Sequence, residues 1–233
     1  MKHSEDYLHN HYIHRSNWLR AAVLGANDGI ISVTSIAIGM ATADLSKQSI
    51  ILATTAGLVA GALSMAAGEY VSVSSQTDLE KADIERERQE LIDDPVYELN
   101  LLASIYEKRG LKKETALLVA TEMTEHDALK AHVRDELGIT DFAQSDPLQA
   151  ALASGFSFAV GGLLPLMVCL FSSTNFLVYA LYCISLLSLI LLGYVSAKAG
   201  GAEPAKAILR VSFWGTMAMG TTAFVGHLFG VKL

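Results

Sequence analysis

Five carboxylates recur along one stretch of the sequence at the spacing of a helical face. They lie at offsets of 0, 3, 7, 10 and 14 and comprise Glu80, Asp83, Glu87, Glu90 and Asp94. Residues three, four and seven apart share one side of an α-helix, and residues 69–94 contain no glycine or proline that would interrupt it. The stripe is therefore a candidate site for divalent cations, which bind carboxylate oxygens. The alternative is a solvated acidic face, which is common on helices.

A second set repeats these offsets on a helix predicted over residues 112–137. Its members are Glu122, Glu125, Leu129, His132 and Glu136, with His126 beside them. A short helix predicted between the two sets, over residues 96–108, carries Glu98. Two helices with matching carboxylate spacing can face each other and clamp a metal ion. The imidazole of His132 adds a ligand that suits transition metals.

Three further residues could bind a cation inside apolar stretches. Asp28 lies in the first such stretch, and Met65 and Glu69 lie four residues apart in the second, on one side of a helix. An acidic side chain at membrane depth is rare and marks a functional site by default. A thioether beside a carboxylate favours a transition metal over Mg²⁺ or Ca²⁺. The alternatives are a local helix break at residues 27–29 and ordinary packing for Met65.

The composition predicts an all-α membrane protein that positions these residues on long helices. The 233 residues are 52% hydrophobic and 18% charged, which is too apolar for an ordinary soluble domain. Five transmembrane helices are predicted, at residues 18–43, 50–73, 148–171, 176–197 and 205–229. The second is expected to continue without a break to residue 94, well beyond the roughly 30 Å of the hydrocarbon core.

Four regions follow from this pattern. We expect a cytoplasmic N-terminal segment (1–17), the first two spans (18–76), a cytoplasmic acidic three-helix metal-binding domain (77–140) and the last three spans (147–233). The extension of the second span forms part of the cytoplasmic domain. The N-terminal segment contains His3, His9, His11 and His14. It is interpreted as a helix at the membrane surface, with a metal-gathering tail as the alternative.

The distribution of basic residues predicts the orientation. With the N-terminus in the cytoplasm and the C-terminus outside, only Lys47 and Lys232 of the 17 lysines and arginines lie outside. Cytoplasmic loops carry the excess of basic residues in membrane proteins. The acidic helical domain is therefore expected in the cytoplasm, and a bacterial inner membrane is the expected location.

Several motifs resemble the vacuolar iron transporter family, which also covers nodulin-like proteins and bacterial members. The motifs are LGANDGI at 24–30, ALSMAAGEY at 62–70, ERERQE at 85–90, ELG at 136–138 and GGLLP at 161–165. The resemblance implies a homodimer of five-span protomers in the lipid bilayer. It also implies that Fe²⁺ or Mn²⁺ leaves the cytosol in exchange for protons, for metal homeostasis and detoxification.

The resemblance also implies roles for individual residues. Asp28 and Met65 match the Asp and Met of the family's transport conduit. The carboxylates that match the cytoplasmic metal-binding domain are Glu87, Glu90, Glu98 and Glu136. The plant-type family has a Glu where this chain has Gly57, and Glu69 is expected to take over its role. A further family Glu falls on Leu101, and a Met pair falls on His132 and Val133, so nitrogen replaces sulfur there.

The expected activity is thus transport and not catalysis. Fe²⁺ or Mn²⁺, with other divalent transition metals admitted, is the cargo, and protons are the counter-ion. No permanently bound cofactor and no nucleic-acid partner is expected. One alternative is a membrane-anchored oxidase of the di-iron type, although the Glu-x-x-His pairs of such enzymes are missing from the sequence. The other is a metal sensor or scaffold whose spans conduct nothing.

Overall fold

The computed structural model describes residues 16–139 and 146–230, and the N-terminal histidines lie outside this part. The described residues are mostly helical and contain no β-strand. The α-helices are α1 (Ser16–Thr42), α2 (Lys47–Asp93), α3 (Pro95–Lys108), α4 (Lys113–Asp135), α5 (Pro147–Phe171), α6 (Leu177–Ala199) and α7 (Pro204–Gly230). A 3-10 turn, Thr174–Phe176, precedes α6. The predicted all-α class is confirmed.

Four helices are long and apolar enough to cross a membrane. They are Trp18–Thr42, Lys47–Asp93, Pro147–Phe171 and Thr174–Ala199. Each contains or nearly matches one of the first four predicted spans. The fifth predicted span, residues 205–229, falls within α7, whose 27 residues exceed the roughly 20 that a span needs. The count of five spans stays a prediction.

Contacts divide the chain into two units, of which the first comprises Met1–Val71 and Asp146–Leu233. Helix α1 is its centre and packs against α5, α6 and α7. Glycines bring α1 and α5 together. A Cβ atom at Gly29 would lie 2.2 Å from the carbonyl oxygen of Phe158, and one at Gly161 would lie 2.4 Å from that of Ala26. Such close backbone approach is how helices associate in lipid, where hydrophobic burial gives little drive.

Polar contacts also join helices of this unit. Thr34 on α1 and Ser185 on α6 are almost completely buried, and their hydroxyl oxygens lie 2.6 Å apart. The same helices share a buried apolar cluster, to which α1 contributes Ile30, Ala37 and Ile38 and α6 contributes Leu181 and Leu189. A hydroxyl pair buried in this way satisfies groups that have no water to bond.

The second unit, Ser72–Ser145, contains α3, α4 and the later part of α2. The chain turns from α2 into α3 at Asp94, whose side chain accepts a hydrogen bond of 3.0 Å from the backbone N–H of Tyr97. Pro95 follows as the first helical residue. An acidic N-cap with proline at the first position is a strong start signal. Asp94 therefore begins α3 and does not extend the carboxylate stripe of α2.

Helix α4 is not the straight helix that residues 112–137 predict. Asp127 has extended backbone angles (φ −164°, ψ 91°), and its carboxylate accepts from the N–H of Lys130 at 3.0 Å. It thus caps a new short helix. On a straight helix, Ala116 and Asp135 would lie about 28 Å apart. Here Ala116 shares a core cluster with Tyr106, whose hydroxyl bonds Asp135, so both halves of α4 pack on α3.

The α1–α5 contact makes a stability prediction. Gly161→Ala places a methyl group against the backbone of Ala26 and is expected to lower the free energy of unfolding by about 1–3 kcal/mol. Gly220→Ala is the control, because no atom lies within 4 Å of its added Cβ, and it should not destabilise. Thermal unfolding of purified protein in detergent measures both. Equal stability of the two variants would contradict this packing.

Candidate metal centre

Four side chains of the second unit converge on one point. They are Glu87, Glu98, His132 and Glu136, and each offers a ligand atom within 4.8 Å of the others. Each comes from a different part of the unit. Glu87 lies on α2, and Glu98 lies in the first turn of α3. His132 lies on the short second half of α4, and Glu136 is the residue that follows α4. The turn at Asp94 and the break at Asp127 are therefore both needed to form the cluster.

The Nδ1 atom of His132 is the meeting point of three carboxylates. It lies 2.9 Å from Glu87, 3.0 Å from Glu136 and 3.8 Å from Glu98. Only the Glu136 contact has the geometry of a hydrogen bond, and the nearer Oε1 of Glu87 has no hydrogen-bond partner. A single N–H cannot satisfy three carboxylates, so the arrangement is short of positive charge.

The cluster is also shielded from water. The side chains of His132, Glu87 and Glu98 are 0%, 3% and 6% exposed, while Glu136 is 28% exposed. One oxygen of Glu98 and the Nε2 atom of His132 are buried without a hydrogen-bond partner. Unpaired polar atoms at this depth are strongly unfavourable unless a ligand or an ion binds them.

Burial and repulsion disfavour the charged carboxylates. Burial raises the pKa of Glu87, and the negative charge of Glu136 adds to the rise, while His132 partly offsets it. Burial likewise raises the pKa of Glu98, against the opposing effect of His132. Like charges this close favour either protonation or a cation between them.

The chemistry of this donor set suits a divalent transition-metal ion. Three carboxylates supply oxygen and one imidazole supplies nitrogen, and this mixture is typical of sites for borderline metals. A cation among these atoms would satisfy the unpaired oxygens of Glu87 and Glu98 together. Three ionised carboxylates carry more negative charge than a divalent ion carries positive charge. The electrostatic attraction therefore favours a bound ion over an empty, charged site.

The remaining carboxylates that we predicted as metal ligands lie outside this cluster. Glu80 accepts a hydrogen bond from Gln76 at 2.9 Å, and Asp83 pairs with Arg86 at 3.2 Å, both within α2. Glu90 is exposed, and its charge contributes to the raised pKa of Glu87. Glu122 and Glu125 are exposed on the first half of α4, before the break. The break explains why they do not join His132.

The three residues predicted for the membrane conduit belong to the first unit. Asp28 and Glu69 are partly buried. Met65 packs against a core cluster that contains Phe158 and Leu166, so it contributes to packing in a single protomer. At Gly57, where the plant-type pattern has a Glu, a Cβ atom would lie 2.6 Å from the side chain of Ile36. Their role in conduction stays a prediction.

Sequence reasoning missed a polar network beside the cluster, centred on Asp135. This carboxylate accepts hydrogen bonds from the Tyr106 hydroxyl and from Arg134, each at 2.8 Å, and pairs with Arg109. Burial raises the pKa of Asp135. The hydrogen bonds from Arg134, Arg109 and Tyr106 outweigh this effect and lower the pKa to about 2. The signal in the sequence was weak, because Asp135 interrupts no pattern and simply precedes Glu136.

Comparisons with known proteins agree with the predicted resemblance. Residues 19–227 match the model of the VIT family. A "Vacuolar iron transporter" from Acanthamoeba castellanii is 44% identical over 94% of this chain and 82% of its own length. "Vacuolar iron transporter homolog 1" from Oryza sativa subsp. japonica is 37% identical over 94% and 77%. "VIT-like transporter 1b" from Glycine max is 32% identical over 98% and 83%. The resemblance is confirmed.

The raised pKa of Glu87 leads to a prediction about stability. The folded state raises the pKa of the Glu87 carboxyl. The protonated carboxyl therefore stabilises the fold below its usual pKa, and this stabilisation is lost as the pH rises through the raised pKa. At neutral pH, Glu87→Gln is therefore expected to raise the unfolding temperature of the chelator-treated protein. Mn²⁺ at about 100 times its Kd should stabilise the wild type by about 2.7 kcal/mol and the variant much less.

Glu85→Gln is the matched control, because Glu85 lies two residues away on α2, is 75% exposed and bears the same charge. It should respond to Mn²⁺ as the wild type does. Differential scanning calorimetry with and without metal measures all three proteins. A Glu87→Gln protein that gains as much from Mn²⁺ as the control would rule Glu87 out as a ligand.

Proposed function

Since this chain belongs to the VIT family, we propose that it is a proton-coupled transporter that moves Fe²⁺ or Mn²⁺ out of the cytosol. The observation that carries the proposal is the cluster of Glu87, Glu98, His132 and Glu136. Relatives that are named vacuolar iron transporters match this chain over most of their length, and their names support metal as the cargo. The metal is substrate here and not a resident cofactor.

The first step in this proposal is capture of metal by the second unit. The three carboxylates bind a divalent cation, and His132 shifts the preference from Mg²⁺ and Ca²⁺ toward transition metals. Exposed carboxylates of α2 and α4, such as Glu90 and Glu122, add negative charge to this unit, and negative charge raises the local concentration of cations. With this unit in the cytoplasm, the metal comes from the cytosol.

Conduction is assigned to polar side chains on the apolar helices. Asp28 on α1 and Met65 and Glu69 on α2 are the proposed conduit residues. A carboxylate in an apolar conduit binds either a proton or a metal ion, which is the property that coupling requires. Helix α2 carries residues of both sets, since Glu87 belongs to the same helix. Proton coupling thus rests on the exchange of H⁺ for metal at Asp28 and Glu69.

A homodimer of five-span protomers completes the proposal. Helix α2 exposes apolar side chains over its membrane portion, including Leu52, Val59 and Leu63 at 72%, 55% and 68%. Within one protomer only a small part of this portion is buried. A second protomer and lipid are the proposed partners of this surface.

The proposed orientation has the N-terminus in the cytoplasm and the C-terminus outside. Relatives named as vacuolar favour export of metal into a compartment or out of the cell.

Transport into proteoliposomes with an imposed pH gradient tests this function. The wild type is expected to move Fe²⁺ and Mn²⁺ with proton counterflow, and Mg²⁺ much less. Asp28→Asn removes the exchangeable group and should reduce both fluxes to the level of protein-free vesicles. Glu85→Gln, with its exposed side chain, should transport as the wild type does.

One result would overturn the proposed function, and a second would overturn the role of Asp28 alone. The first is a wild-type protein, correctly inserted, that moves no metal under any pH gradient. The second is coupled exchange that persists in Asp28→Asn at the wild-type rate, which would leave the proton pathway without Asp28.

A further inference from the structure

The last ligand of the metal cluster lies where a helix ends. Glu136 follows α4 as its C-cap residue, and its backbone N–H bonds the carbonyl of His132 at 2.8 Å. The half of α4 that carries His132 spans only the residues between Asp127 and Glu136. A helix this short is unstable by itself, and helix ends fray. Contacts with the rest of the unit must therefore hold His132 and Glu136 in place.

Asp135 supplies such a contact, because its side chain is buried and bonded on three sides. It is 6% exposed. The Tyr106 hydroxyl and Arg134 each donate to its Oδ2 atom at 2.8 Å, and Arg109 pairs with Oδ1. Arg109 also donates to the Asp135 backbone carbonyl at 3.0 Å. That carbonyl is among the last of the helix, which have no partner within it.

The donors from outside α4 come from the end of α3, the helix that carries Glu98 at its start. Glu98, Leu102 and Tyr106 lie four residues apart and are all buried, so they form one face of α3. Leu102 and Tyr106 pack with Ala131 of the second half of α4. The same face of α3 thus presents a metal ligand at one end and the partner of Asp135 at the other.

We infer that Asp135 is a positioning residue for metal binding, which fastens the end of α4 to Tyr106 and Arg109 and so holds Glu136 against the other ligands. The inference rests on the proposed function of the cluster. Asp135 faces Tyr106 and two arginines and does not itself bind the metal. Removing its contacts frees Glu136, the most exposed of the four ligands, to move away from His132.

Binding of Mn²⁺ to the full-length protein in detergent tests the inference, with free Mn²⁺ measured by its electron paramagnetic resonance signal. Asp135→Asn is expected to weaken binding about tenfold, within the range for residues that orient metal ligands. Tyr106→Phe keeps the ring in the core and removes one hydrogen bond, so its Kd should rise less. Asp78→Asn, an exposed residue of α2, removes the same charge and should bind as the wild type does.

A double-mutant cycle separates positioning from general stability. If Asp135 acts through Glu136, Asp135→Asn should change Kd by less than about twofold in a Glu136→Gln background, because the interaction is already lost. A purely structural role would lower the unfolding temperature and leave the Kd of the folded protein unchanged. If Asp135→Asn does not fold, Tyr106→Phe in the two backgrounds gives the same comparison.

The outcomes distinguish this inference from the proposed function. A wild-type protein that binds no Mn²⁺ contradicts the metal cluster itself. A wild-type protein that binds Mn²⁺, together with an Asp135→Asn variant whose Kd equals that of Asp78→Asn, overturns the positioning role alone. Equal effects of Asp135→Asn with and without Glu136 also overturn it.

Discussion

The convergence of three carboxylates on one buried imidazole nitrogen is the constraint that governs the second unit. Glu87 and Glu136 lie about equally close to the Nδ1 atom of His132, and Glu98 lies slightly farther away. Repulsion among buried charges opposes this arrangement, so the surrounding fold must impose it. The cap at Asp94 directs α3, and the break at Asp127 directs the second half of α4. The first feature positions Glu98, and the second positions His132 and Glu136.

The two units bring their helices together in different ways. In the first unit, backbones meet at glycines, as at Gly29 and Gly161, and a hydroxyl pair bridges α1 and α6. This gives close, mostly apolar contacts. In the second unit the core is small. Its small side chains, such as those of Ala116 and Ala131, allow the helices to approach closely enough for charged side chains to come into contact. Both units contain buried oxygens without a hydrogen-bond partner, but in the second unit two of them belong to carboxylates that meet at one point, as in a binding site.

The sequence predicted the helical class, the first four long apolar helices and the turn before α3, because each has a strong local signal. It also indicated all four residues of the cluster, but together with five carboxylates that lie outside it. Periodicity identifies a helical face but not which part of that face is buried, and Glu80 and Asp83 find partners within their own helix. The break at Asp127 has no glycine or proline to mark it. Only packing against α3 reveals it, and with it the separation of Glu122 and Glu125 from His132.

The central claim is that these four side chains hold one divalent cation. Anomalous scattering at the manganese absorption edge, from crystals of the full chain grown with Mn²⁺, tests it most directly. The account predicts a peak about 2.0–2.5 Å from oxygens of Glu87, Glu98 and Glu136 and from a ring nitrogen of His132. A strong peak at Glu122, Glu125 and His126, with none at His132, would contradict it.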